Sequence, residues 1–281
     1  MLTDIQQQQS TAVFEAVSNA ITSLLPADAV YLLGARHSAS TGNSIFHAAT
    51  KDSNDRPSFL YLLVVANLHN KAAHEWQDQL EAHCKRIIPC TTFVLYNVTF
   101  QHWIREGHPF ACHVLKTAMC LHRSEGFLYD RDTVPVYLPS MGESVLTEGL
   151  NMYTEFMAAA ELFAIRKQYR LACFMLHQAA ELGLNSILKA GTGFHYRTHN
   201  IERLIIYTSL VHEELFYRVN GTEKERKLLH KLQQAYSGSR YGETYAVNAV
   251  ELGEIMGLIQ QLKQYFLQER RVLGYEMLLS I

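Results

Sequence analysis

Residues Leu171–Leu204 read LACFMLHQAAELGLNSILKAGTGFHYRTHNIERL, a helix apolar over most of its circumference and crossed by one narrow polar strip. At about 100° per residue, Gln178, Glu181 and Asn185 fall on one side. Leu176, Ala180, Leu184, Ile187 and Leu188 cover much of the opposite side, and Leu171, Met175 and Leu182 widen the apolar area. A helix of this kind is central and buried. Its polar groups then need partners, because each one left unpaired costs about 1–3 kcal/mol. The pattern stops at Gly191 and Gly193, and Thr198-His199-Asn200 opens the next helix.

At 281 residues the chain is long enough for two compact domains. Hydrophobic residues make up 48% and charged ones 19%, a globular balance. The net charge of −2 predicts no strong nucleic-acid signal and no pull toward anionic membrane. Five cysteines stand at 84, 90, 112, 120 and 173, an odd count without CxxC or zinc-site spacing. They read as reduced structural thiols, so the expected location is cytoplasmic. The start MLTDIQQQQS has neither the basic nor the apolar region of a signal peptide, and no run approaches a membrane span.

Helical spacing is expected over 4–25, with Thr3 as cap and Pro26 as stop. Ala29–Leu33 reads as a strand closing on Gly34, Phe59–Ala66 and Thr91–Val98 as buried strands, and Ile45–Ala49 as a short one. Helices are expected over 71–84 and 99–121. This order predicts an α/β domain over 1–130. Pro135, Pro139 and Gly142 mark a linker over 131–143. An all-α bundle over 144–281 follows, with helices near 144–166, 169–190, 199–217, 222–236 and 248–270. Thr222 and Glu225 have capping-box spacing.

Gln178-Ala179-Ala180-Glu181 on a buried helix, followed by Thr198-His199-Asn200-Ile201, resembles the HEPN family of small helical bundles. The resemblance covers roughly the second half of the chain. It implies a nucleotide or other phosphorylated ligand and a homodimer formed through the helical domain, with a protein partner as a further expectation. HEPN domains often accompany a minimal nucleotidyltransferase domain, and the first half is similar to one. Leu32-Leu33-Gly34-Ala35-Arg36 looks like that family's Gly-Ser turn, with Ala35 in the place of Ser. Phe59–Val65 looks like its next core strand, with Phe59 and Tyr61 where two metal-binding Asp belong, and Phe100–Phe110 resembles a late helix.

Nucleotidyl transfer needs carboxylates to hold Mg²⁺ against the triphosphate. Phe59 cannot ligate a hard cation, Tyr61 is a poor ligand, and Thr91–Val98 adds no carboxylate. The nearest acids, Asp52 and Asp55, lie in a polar loop with different spacing. The first domain is therefore expected to be a pseudoenzyme, with no metal and no cofactor. Some HEPN members cleave RNA through Arg-x4–6-His, with His as general base or acid and Arg on the charged transition state. Here Ser239-Arg240-Tyr241 resembles the Arg-Tyr element, but YGETYAVNAVELG supplies no His and Asn248 is not basic.

The expected function is non-catalytic nucleotide or phosphate-ligand binding. The candidate ligand residues are Gln178, Glu181, His195, Arg197, His199, Arg240 and Tyr241. No catalytic residue is assigned. The alternatives are a nucleotidyltransferase or a toxin-like HEPN ribonuclease using displaced residues, or a purely structural dimerisation module.

Overall fold

A computed structural model describes the backbone of residues 2–37, 42–46, 56–69, 71–127, 134, 142–219, 221–241 and 245–279. Side chains are described except at 2–9, 219, 239–241 and 272–279. The chain divides into two compact units, Met1–Tyr137 and Leu138–Ile281. The linker expected at 131–143 falls mostly outside the described residues, as do Asp52 and Asp55.

The first unit is α/β, built on a mixed five-stranded sheet. Helix α1 (Leu2–Leu24) comes first and leads into strand β1 (Ala27–Arg36). Thr3 therefore lies inside α1 and does not cap it. Strand β1 pairs antiparallel with β3 (Phe59–Ala66) along one edge. Its other edge is shared by the short β2 (Gly42–Ser44) and by β5 (Met119–Arg123). Strand β4 (Cys90–Tyr96) pairs parallel with β3 through the crossover helix α2 (Ala73–Cys84). Strand β3 is buried from Leu60 to Ala66, which explains its unbroken apolar run. Val17, Ile21, Leu62, Val64 and Leu80 are part of one apolar core under the sheet.

Three expectations are corrected in this unit. Gly34 and Ala35 are not a turn but part of β1, at a register shift between Leu32 and Gly34 that accommodates one extra residue. The expected helix over 99–121 is two helices, α3 (Asn97–Arg105) and α4 (Pro109–Thr117), followed by β5. The break falls at Gly107, whose φ of 68° favours glycine, and at Pro109. The short strand expected at Ile45–Ala49 lies earlier, at Gly42–Ser44, and 47–49 lie outside the described residues.

The second unit is helical among its described residues. Helices α5 (Gly142–Ile165) and α6 (Tyr169–Thr192) pack along each other and come very close at Gly149, where a Cβ would collide with the Ser186 side chain. Then come α7 (Ile201–Thr208), a 3₁₀ turn (Glu213–Leu215), α8 (Phe216–Val219), α9 (Glu223–Tyr241), α10 (Ala249–Gln260) and α11 (Leu262–Leu279). Helix α6 packs against α5, α7, α9, α10 and α11. Ala172, Leu176, Ala180, Leu184, Ile187 and Leu188 are fully buried, as a central helix requires.

The expected helices at 199–217 and 248–270 are each interrupted, after Thr208 and at Gln261. The buried Tyr153 hydroxyl donates to the Ile259 carbonyl at 2.8 Å beside the second break. Helix α9 runs five residues beyond its expected end. Gly238 belongs there because a Cβ would lie 2.8 Å from that of Tyr245. Thr222 and Glu225 form the expected reciprocal cap, at 3.2 and 2.8 Å.

Candidate functional site

The polar strip of α6 finds its partners at the start of α7 and on α9. Glu181 accepts from His199 Nδ1, 3.0 Å from Oε1 and 3.1 Å from Oε2. His199 is 56% exposed and Glu181 only 18%, so a sheltered carboxylate holds a ring that reaches solvent. With its proton on Nδ1 directed to Glu181, the ring has Nε2 left over, and Nε2 makes no hydrogen bond among the described residues. Tyr236 of α9 stacks on the same ring, with centroids 4.1 Å apart and planes inclined by 17°.

Beneath this pair lies His177, which is fully buried. Its Nε2 donates to the His199 carbonyl at 3.1 Å, which leaves Nδ1 as acceptor for Gln178 Nε2 at 3.3 Å. In that tautomer His177 is neutral, and its 3.7 Å approach to Glu181 is not an ion pair. Gln233 completes the clamp: Nε2 donates to the His199 carbonyl at 3.0 Å and Oε1 accepts from Ile201 N at 2.7 Å. Asn200 caps α7 by accepting from Arg203 N at 2.9 Å. The first N–H groups of α7 are therefore largely occupied by the protein itself.

His195 and Arg197 are exposed on the segment between α6 and α7. Burial, then the neighbouring Lys189 and Arg197 charges, push the His195 pKa below its ordinary value, while Glu181 opposes them. Lys189, His195, Arg197, His199 and Glu181 thus belong to one electrostatic neighbourhood. Neither Lys189 nor Arg197 makes an ion pair among the described residues.

Of the expected ligand residues, Gln178, Glu181, His195, Arg197 and His199 are brought together. Arg240 and Tyr241 are the last two residues of α9, beyond the helix end expected at 236; Arg240 stands one turn beyond Tyr236, and the side chains of Arg240 and Tyr241 lie outside the described set. Asn185 is buried, and its Oδ1 accepts no hydrogen bond among the described residues. Asn248 is the N-cap of α10, paired reciprocally with Glu251 at 2.9 Å. Sequence reasoning missed His177, Gln233 and Tyr236. The signal for His177 was its place beside Gln178, hidden because a lone histidine on an apolar helix reads as core.

In the first unit the expected degenerate residues also meet. Gly34 pairs with Tyr61, Ala35 with Leu60 and Arg36 with Phe59. The Phe59 and Tyr61 rings touch edge-on at 5.2 Å. Arg36, on the same face as Gly34, is 2% exposed, so a buried cation adjoins the strand positions at issue. Glu81 reaches β4 from α2, but one of its oxygens already accepts from Thr91 Oγ1 at 3.1 Å and Thr92 N at 2.9 Å. Among the described residues no cluster of three or more His, Cys, Asp or Glu could hold a metal ion, and no helix is long and apolar enough to cross a membrane.

Residues 153–268 match the family model of the HEPN domain, so the helical unit contains a HEPN domain. No curated protein matches the chain. Among solved structures, the crystal structure of TT1696 from Thermus thermophilus is 21% identical, over 44% of this chain and 97% of that one, with a TM-score of 0.34.

Proposed function

We propose that the HEPN domain binds a phosphate-bearing ligand, a nucleotide, at the Glu181–His199 pair and performs no chemistry on it. The observation that carries this reading is the Nδ1 contact of His199 with both Glu181 oxygens, which leaves Nε2 unengaged among the described residues on a ring that is more than half exposed. A ring held in this way loses little freedom when it meets a ligand, and in its doubly protonated form both nitrogens donate, so that Nε2 can then reach a phosphate oxygen. The Glu181 carboxylate is occupied by His199 and Gln178, so it does not confront the anion unshielded. The first unit is proposed to be a pseudo-nucleotidyltransferase. Phe59 and Tyr61 in the place of acids, and Arg36 buried on the adjoining strand, support that reading.

The test is thermal stabilisation by ATP and GTP in EDTA, with the nucleotide recovered and analysed. Stabilisation with the nucleotide intact, lost in His199→Ala, supports the reading. Hydrolysis, or stabilisation that requires Mg²⁺, contradicts it.

A second reading is favoured by the Tyr236–His199 stack, which sets His199 one helical turn from Arg240. A histidine oriented by a carboxylate is a general-base arrangement. His199 with Arg240 would then cleave RNA by displaced residues. Metal-independent cleavage of RNA, abolished in both His199→Ala and Arg240→Ala, would select it over the first.

A further inference from the structure

Where α6, α7, α9 and α11 meet, the core of the helical unit holds a cavity of about 30 Å³, walled by Ala180, Leu184, Ile205, Leu229, Leu262 and Tyr265. All six of these residues are buried. Such walls offer water no hydrogen-bonding partner, so they favour an apolar occupant. The space takes about two or three groups of the size of a water molecule. That is the bulk of a small branched aliphatic side chain, not of an aromatic ring.

Three polar residues also line the cavity, Arg218, Glu225 and Gln261. All three reach solvent and so mark its mouth. Arg218 Nη1 lies 3.8 Å from Glu225 Oε1, beyond hydrogen-bond distance, and the two side chains are 34% and 30% exposed. Among the described residues Arg218 has no other polar partner. Glu225 is held from the opposite side, where Thr222 N and Oγ1 donate to its Oε2 at 2.8 and 3.0 Å. These bonds, the backbone one foremost, keep the Glu225 carboxyl below the usual carboxylate range, so both charges are present at neutral pH.

The mouth therefore presents a guanidinium fork beside a carboxylate oxygen that has no hydrogen bond, over an apolar hole. A ligand bearing only an anion would confront Glu225, and one bearing only a cation would confront Arg218. A zwitterion satisfies both. The wall beside the mouth is formed by the break between α10 and α11: Ile259, Gln261 and Leu262 line the cavity, and the Tyr153 hydroxyl takes the Ile259 carbonyl at 2.8 Å. A site formed in advance spares the ligand much of the ordering cost.

We propose that this cavity binds a free α-amino acid with a small branched aliphatic side chain, of the valine or leucine type. Its α-carboxylate accepts from the Arg218 guanidinium, its ammonium donates to Glu225 Oε1, and its side chain enters the apolar cavity. Neither Glu181 nor His199 lines the cavity, so this ligand is separate from the one read above.

The experiment is calorimetric titration of L-leucine, L-valine, glycine, isocaproate and isoamylamine into the full chain, with Arg218→Gln and Glu225→Gln as variants. Both substituted side chains are partly exposed, and glutamine serves the Thr222 cap as glutamate does, so the variants should melt with the wild type. Leucine or valine should bind, and each variant should weaken that binding by about tenfold or more. Glycine lacks the side chain, isocaproate the ammonium and isoamylamine the carboxylate, and each should bind at least about tenfold less tightly than leucine. Methyl NMR shifts of Leu184 and Leu262 in the wild-type chain should move with leucine and not with glycine. Absence of binding by both leucine and valine at millimolar concentration overturns the proposal. So does an affinity unchanged in both variants, isocaproate or isoamylamine binding as tightly as leucine, or leucine binding that leaves those methyl shifts in place.

Discussion

His199 and Glu181 are eighteen positions apart, yet the imidazole Nδ1 lies 3.0 and 3.1 Å from the two carboxylate oxygens. The pair joins the central helix of the bundle to the first residues after its loop. Glu181 supplies a fixed partner from a sheltered position, and His199 carries the outcome to the surface. Exposed ion pairs contribute only about 0–1 kcal/mol, so the pair's chief effect is on orientation. Glu181→Gln should therefore lower the melting temperature little while weakening nucleotide binding by about tenfold. Parallel melting and titration curves check this; an equal loss of both would make the pair a structural tie.

The pH dependence has a definite sign. His195 has a folded-state pKa below its unfolded value of about 6.5, so the unfolded chain binds the proton more readily. The His195 contribution is thus constant above that value, and stability falls as pH drops through the unfolded pKa and on to the lower folded one. His195→Asn should flatten that part of the stability–pH curve between pH 7.5 and 5.5. A steeper loss in the variant would contradict the assignment.

Catalysis by the first unit is not expected to return with its acids. Phe59→Asp with Tyr61→Asp puts two carboxylates beside the buried Arg36, and Glu81 is engaged by Thr91 and Thr92. Incorporation of label from α-labelled ATP should stay at background in the wild-type chain and in the double variant. Robust Mg²⁺-dependent labelling by the wild-type chain would remove the pseudoenzyme reading.

Assembly is tested through α5. Leu162 and Ile165 are 48% and 79% exposed near the end of that helix, and Leu267 on α11 is 47% exposed. Apolar groups gathered on a surface commonly mark a partner face, and a symmetric pair is the commonest way to cover one. Light scattering should give about twice the chain mass of 32.1 kDa, reduced to one chain by Leu162→Glu with Ile165→Glu. A concentration-independent single-chain mass in the wild type would exclude the dimer.

Elements whose side chains decide alone were legible in the sequence. Strand β3 is buried almost throughout and α6 along its whole apolar side, so their composition identified them. Elements decided by long-range pairing were not. Gly34 reads as a turn, yet β3 and β2 hold it in a strand through a bulge. Strand β5 is only half-buried, and its MCLHR carries little strand pattern. Gly238 reads as a loop, but it keeps α9 helical where Tyr245 crosses it and where its carbonyl receives Arg170 Nη2 at 2.8 Å. At the candidate site, Glu181 and His199 were visible from their motif. His177, Gln233 and Tyr236 were not, since a helical histidine, glutamine or tyrosine acquires its role only when α6 and α9 meet.

The most direct measurement is the ¹⁵N chemical shift of the His199 ring nitrogens, followed as ATP is added in EDTA. The account predicts that Nδ1 keeps its proton throughout, and that Nε2 shifts with ATP in the wild type and not in Glu181→Gln. An Nε2 signal indifferent to ATP at concentrations that stabilise the protein would place the ligand elsewhere and contradict the account.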